Sequence, residues 1–223
     1  MVALLLAATF LRLVAWQSAP PGLRYDEMTV AYEADEIRAG ARPIYMDGSA
    51  EEVLYHYLFA VAQDFIAPHL FTLRWLSAAC SLIGVAALYT LGRLMFSWRV
   101  GLLAAAIAAV AFWSLMYSRL GLRIIALTPF VLLAMMFLWR GFTRPRRSDF
   151  IISGALFGLS AYTYSATRLL PVVFAGYSIV LLFFNRPALR RQGRYLLLTL
   201  GLAVLIVLPM TILDMSERGA QVE

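Results

Sequence analysis

The residues best suited to chemistry are two adjacent carboxylates, Asp26 and Glu27, in the run Pro20-Pro21-Gly22-Leu23-Arg24-Tyr25-Asp26-Glu27. A carboxylate at a helix start, beside apolar residues, can serve as a general base that deprotonates an acceptor hydroxyl or amine. The same position also suits plain helix capping, in which Asp26 faces the amide groups of the first turn. Local sequence leaves both readings open.

A second set is cationic. Arg119 and Arg123 stand four apart in Ser118-Arg119-Leu120-Gly121-Leu122-Arg123, Arg168 follows Tyr162 and Tyr164, and Arg12 and Arg74 lie near the ends of other apolar runs. An arginine near hydrocarbon is costly unless it meets an acid or an anionic ligand. Guanidinium forks fit phosphate geometry, which points to a phosphate site for a lipid-linked substrate. Snorkelling, or pairing with nearby acids, accounts for them equally well. Tyr162 and Tyr164 offer faces for a sugar ring or belong to an interfacial aromatic belt, whereas Tyr177, in mid-run, reads as packing. His56 and His69 have no His or Cys partner at ligand spacing, so a zinc site on them is not expected. Cys80 is the single cysteine and sits in an apolar run as a packing residue. The chain lacks a glycine-rich phosphate loop, a GxSxG elbow and an HExxH helix, which argues against a soluble-type nucleotide enzyme or metalloprotease.

Membrane helices must position these groups. Of 223 residues 62% are hydrophobic and 14% charged, too apolar a mixture for a water-facing surface. The pattern predicts an all-α integral membrane protein with about seven transmembrane helices, at roughly 1–18, 70–95, 101–117, 124–140, 150–165, 168–184 and 195–213. All 19 basic residues are arginine, and they gather in short loops after the second, fourth and sixth spans. That is a topology signal which places those loops in the cytoplasm, not a nucleic-acid footprint. Residues 1–16 lack a basic leader and a small-residue cleavage site, and are kept as the first span.

Most acids then fall in one long extracytoplasmic loop, about 18–69. It is predicted to hold two juxtamembrane amphipathic helices, Asp26 to Ala39 and Glu51 to Ile66, joined by turn chemistry at 42–49. The apolar faces are expected to be Met28, Ala31, Ala34 and Ile37 on the first, and Leu54, Leu58, Val61 and Phe65 on the second, with Glu33, Asp35 and Glu36 remaining polar. Both helices should lie along the membrane surface. Residues 1–223 read as a single membrane domain, and the abrupt apolar start and unsignalled end suggest a chain truncated at its C-terminus.

The order of these pieces resembles the GT-C glycosyltransferases, in particular the family 39 branch of protein O-mannosyltransferases and the lipid A aminoarabinose transferase. The resemblance rests on the Pro21-to-Glu27 run, on Glu52-Val53-Leu54-Tyr55-His56-Tyr57-Leu58, on Leu73-Arg74-Trp75-Leu76-Ser77, on Ser118 to Arg123, and on Ala161-Tyr162-Thr163-Tyr164-Ser165-Ala166-Thr167-Arg168. It implies a multi-pass enzyme of the cell membrane that transfers a hexosyl or pentosyl group from a polyprenyl-phosphate donor to a lipid, glycan or protein acceptor on the extracytoplasmic side. Asp26, with Glu27 beside it, matches the first-loop aspartate that acts as base or metal-facing acid. Arg119, Arg123, Arg168, Tyr162, Tyr164 and Glu52 become candidates for substrate and phosphate binding. A divalent cation is a possible cofactor, with its ligands left unassigned. A transporter or flippase of lipid-linked anions would use the same arginines without breaking a bond, and a non-catalytic assembly subunit is a third class. The acidic outer loop favours the enzyme, because a transporter keeps its ionisable groups at mid-membrane.

Overall fold

The computed structural model describes residues 1–15, 21–22, 24–46, 51–66, 70–144, 146–169 and 186–220. Its elements are α1 (Val2–Leu13), α2 (Tyr25–Arg38), β1 (Tyr45–Met46), β2 (Glu51–Glu52), α3 (Leu54–Phe65), α4 (Leu70–Met95), α5 (Trp98–Val110), α6 (Phe112–Arg119), α7 (Ile124–Thr143), α8 (Arg147–Ser160), a 3₁₀ turn (Ser165–Leu169) and α9 (Arg186–Ala220). The chain is an all-α membrane protein. Among the described residues three helical segments are long and apolar enough to cross a bilayer: Thr72–Met95, Ile124–Thr143 and Gly193–Leu213. The α5–α6 pair makes a fourth if counted as one bent span.

Against the expectation of about seven spans, the structure differs in three places. α1 has 12 residues and α8 has 14, about 18 and 21 Å of helix against some 30 Å of hydrocarbon. The expected span at 168–184 lies, beyond its first residues, outside those described. The expected span at 101–117 is broken between α5 and α6, which meet at 56°. No proline causes that break; an arginine supports it. Arg12, fully buried on α1, donates to the Ala109 carbonyl at the end of α5 (3.1 Å), to Ser114 Oγ on α6 (3.0 Å) and to Ser81 Oγ on α4 (3.0 Å). A carbonyl released at a helix break inside an apolar bundle needs such a donor. Arg119 returns the favour from α6, donating to the Leu11 carbonyl (2.6 and 3.2 Å) and the Val14 carbonyl (2.9 Å) at the end of α1.

The spanning helices pack through small residues. A Cβ on Gly101 would come within 2.5 Å of the Tyr89 carbonyl, so α4 and α5 can touch there only through a glycine. At one end of this bundle α2, the hairpin and α3 fold over α4, α6 and α7. Val30, Ala34, Ile37, Met46, Val53, Tyr55, Phe59, Leu73, Cys80 and Ile125 form one core there, with Tyr117 and Tyr162 packed on its edge.

The two loop helices exist, and the face expected on the first is met in part: Ala34 and Ile37 are buried and Ala31 packs on the core. On α2 the buried residues are Glu27, Val30, Glu33, Ala34 and Ile37, while Met28 is exposed, and Glu33 is therefore an interior acid. On α3 the buried residues are Tyr55, His56, Phe59, Ala60 and Gln63, whereas Val61 and Phe65 of the expected membrane-facing stripe are 55% and 84% exposed and point away from the protein core. Glu51 and Glu52 do not open the second helix. They pair antiparallel with Tyr45 and Met46 as a two-residue ladder, whose connecting residues, 47–50, lie outside those described.

Candidate functional site

Two acid–arginine clusters lie at the end of the bundle covered by α2 and α3. The first is built on Glu27, in the first turn of α2. Its Oε2 accepts the backbone N–H of Arg24 (3.1 Å), which caps the helix start. Its Oε1 accepts Arg74 Nε (3.1 Å) and the backbone N–H of Gly121 (3.0 Å). Arg74 also reaches the Gly22 carbonyl (2.6 Å) and Glu27 Oε2 (3.4 Å). One carboxylate with no exposed surface thus joins α2, α4 and the turn between α6 and α7. Burial pushes the Glu27 pKa up, but the Arg74 hydrogen bond, the Gly121 and Arg24 amides and the Arg74 charge outweigh it and hold the group below the usual carboxylate value.

Gly121 is required for this junction. A Cβ there would sit 2.2 Å from Cγ of the buried Leu73 and 3.3 Å from Glu27 Oε1. Arg74 and Gly121 both stand in sequence runs singled out above, but nothing in the local pattern says that they share one carboxylate.

Asp26, the adjacent residue, is exposed. The capping role that local sequence allowed it goes to Glu27 instead. Helical spacing sets Asp26 on one stripe with Val30, Glu33 and Ile37, the inward side of α2. Its carboxylate stands at the open first turn of that stripe.

The second cluster lies further along. His56 on α3 is fully buried, with Nε2 2.9 Å from Glu33 Oε2 on α2. Arg123, in the turn leading into α7, places Nη1 3.8 Å from Glu52 Oε2, and its guanidinium stands over the Tyr164 ring at 5.8 Å. Glu52 is 2% exposed and Arg123 21%, so the cluster opens outward at the arginine. Burial, and secondarily the Arg123 charge, lower the His56 pKa to about 4 against an opposing backbone hydrogen bond at Glu52, so the imidazole is neutral at pH 7. The backbone of α3 is tied in as well, since Leu54 N–H donates to the Tyr162 carbonyl (2.8 Å).

Of the residues proposed from sequence, the structure therefore gathers Glu52, Arg123 and Tyr164 in one place. Tyr162 lies beside them, but its hydroxyl donates to the Ile206 carbonyl on α9 (2.8 Å), which gives the ring a packing partner. Arg119 does not join the group; its fork holds the end of α1. The Arg168 side chain lies outside the described residues, as does His69. Sequence reasoning missed Glu33 and His56. The available signal was a glutamate inside the stripe Val30, Ala34 and Ile37, where a carboxylate needs a buried partner. Among the described residues no group of three or more His, Cys, Asp or Glu side chains is arranged to hold a metal ion.

The arrangement can hold one carboxylate open at a rigid helix start, with an arginine on an aromatic ring and a second carboxylate further along the same covered end. Compared with known families, residues 53–212 match the dolichyl-phosphate-mannose-protein mannosyltransferases. The chain belongs to this family. It is a membrane glycosyltransferase of the GT-C type, a class that uses lipid-linked sugar donors. The matched segment contains Arg74, Gly121, Arg123 and Tyr164, and begins after Asp26 and Glu27. No curated protein and no solved structure matches the chain significantly.

Proposed function

We propose that this glycosyltransferase moves a sugar from a polyprenyl-phosphate carrier to a hydroxyl or amine acceptor at the extracytoplasmic face, with Asp26 as the general base. The observation that carries this reading is the contrast within one dipeptide. Glu27 is buried and occupied by Arg24, Arg74 and Gly121, while Asp26 is exposed on the same helical turn. A base must reach a proton that a bound acceptor presents, and of the two carboxylates only the exposed one can. Glu27 then acts as a positioning residue that fixes the backbone from which Asp26 projects.

In the proposed reaction the acceptor O–H or N–H proton passes to Asp26 as the acceptor atom bonds to the anomeric carbon of the sugar. The bond from that carbon to the carrier phosphate oxygen breaks, and the phosphate leaves with the electron pair. Arg123 at the mouth of its cluster supplies positive charge for that departing group. Support for a lipid-borne donor comes from the family and from the siting of these groups at the end of an apolar bundle.

The test is Asp26→Asn in detergent-solubilised protein, assayed with polyprenyl-phosphate mannose as the first donor. Turnover should fall by a factor on the order of 10² to 10⁴ with unfolding temperature unchanged. Near-wild-type transfer by this variant overturns the assignment.

A further inference from the structure

The end of the bundle remote from α2 and α3 carries a surface that sugar transfer does not use. Between Phe65 and Leu213 the sequence holds one acidic residue, Asp149. Asp149 is 1% exposed and is held bidentately by Arg140, through Nε to Oδ2 at 3.0 Å and through a second contact of Nη2 with Oδ1. That pair joins the end of α7 to the start of α8 and neutralises both charges. Among the described side chains the other arginines of this end are exposed: Arg93 and Arg99 at the α4–α5 turn, Arg144, Arg146 and Arg147 at the α7–α8 turn, and Arg194 near the start of the described spanning part of α9.

Side-chain contacts show that the three sites form one face. Trp139 on α7 donates its indole N–H to the Leu94 carbonyl at the end of α4 (3.3 Å), which joins the first turn to the second. Phe150 on α8 stacks on Tyr195 of α9 with ring centres 5.1 Å apart, and Arg194 lies over that same tyrosine at 4.7 Å, which joins the third. Two large aromatic side chains, Phe96 and Trp98, stand 71% and 57% exposed at the α4–α5 turn, and Arg99 lies over Trp98 at 5.5 Å.

We infer that this face binds the headgroups of anionic phospholipids in the leaflet it meets. Exposed aromatics at a span end sit at headgroup depth, where the neighbouring charges are lipid phosphates. A cationic surface whose one acid, Asp149, is already paired attracts lipids of net negative charge, and guanidinium forks add bidentate contacts to the phosphate diester. The positive-inside rule explains why arginines are retained at such loops. It does not require that they converge from three turns with their one neighbouring carboxylate already neutralised.

The inference is tested on the full chain in phosphatidylcholine vesicles. These carry a minor fraction of either brominated phosphatidylglycerol or brominated phosphatidylcholine, and tryptophan quenching reports which lipid occupies the protein surface. The expected result is a several-fold preference for phosphatidylglycerol over phosphatidylcholine. Salt near 1 M, where the screening length is only about 3 Å, should reduce it. The triple variant Arg144→Gln/Arg146→Gln/Arg147→Gln should lose the preference while its quenching by phosphatidylcholine, which reports intact insertion, stays as in the wild type. Arg42→Gln, at the opposite end, should leave the preference intact. Equal quenching by the two lipids in the wild-type protein, or a preference that survives the triple substitution, overturns the inference. Since no sugar transfer is measured, this outcome is independent of the role given to Asp26.

Discussion

At Glu27 and Arg74 nitrogen and oxygen meet at 3.1 Å, and backbone amides of Arg24 and Gly121 fill the carboxylate's remaining positions. At Glu52 and Arg123 the corresponding approach is 3.8 Å, the arginine is partly exposed, and its guanidinium also stands over the Tyr164 ring. Both clusters pair an acid from the first loop with an arginine of the transmembrane part, yet they are suited to different roles. A buried pair with every site filled resists rearrangement, because removing either partner strands a charge. A longer, open pair can exchange one partner for a ligand at lower cost. The first arrangement fixes a backbone, and the second has the geometry to receive a ligand.

The largest effect expected from this contrast is on folding. Arg74→Ala leaves the Glu27 carboxylate buried beside two amides only, and should destabilise the protein by about 3–5 kcal/mol. Glu52→Gln, which leaves a neutral polar group near the partly exposed Arg123, should cost much less. Thermal unfolding of both variants in one detergent makes the comparison. Equal losses would mean that the two clusters are structurally equivalent.

Acid stability sharpens the contrast further. His56 is held neutral with its pKa near 4, against about 6.5 for the unfolded chain. Between those values the unfolded state binds the extra proton, so stability rises with pH. It is complete above about 6.5 and falls as the solution is acidified toward 4, by on the order of 3 kcal/mol. Glu33 faces the ring from α2, while Glu52 and Arg123 face it from β2 and the turn before α7. Of these, the Glu33 carboxylate favours the imidazolium and moderates the loss. Unfolding temperature followed from pH 7 to pH 4 should decline more steeply in the wild type than in His56→Asn, and parallel curves would exclude His56 as the titrating group.

Sequence made the membrane class and the two loop helices legible, because run length and helical periodicity survive without knowledge of packing. The faces of the loop helices were less so. On α3 the stripe Leu54, Leu58, Val61 and Phe65 has helical spacing, yet the helix turns Tyr55, His56 and Phe59 inward. In a membrane protein an apolar stripe can face lipid or protein, and periodicity does not separate the two. The bend between α5 and α6 was hidden for a related reason. The donor that supports it, Arg12, stands about 100 residues away in sequence, and an unbroken apolar run cannot disclose a donor supplied by another helix. Asp26 was visible as a carboxylate at a helix start. That its neighbour, rather than itself, serves the cap required the positions of Arg74 and Gly121.

The smallest and most discriminating effect concerns Arg123. If the open cluster receives the phosphate of a lipid-linked donor, Arg123→Lys keeps the charge and loses the two-pronged fork. The apparent KM for polyprenyl-phosphate mannose should then rise by up to about tenfold, equivalent to roughly 1.4 kcal/mol, while kcat and unfolding temperature change little. Arg123→Gln, which removes the charge as well, should raise KM further and also lower kcat, because charge develops on the departing phosphate. A purely structural arginine gives another pattern: both variants would lose stability through Glu52 and Tyr164, with KM unmoved in the protein that remains folded. Unchanged KM in Arg123→Gln would remove the residue from the donor site and leave the 3.8 Å pair as a loose contact within the α2/α3 cover.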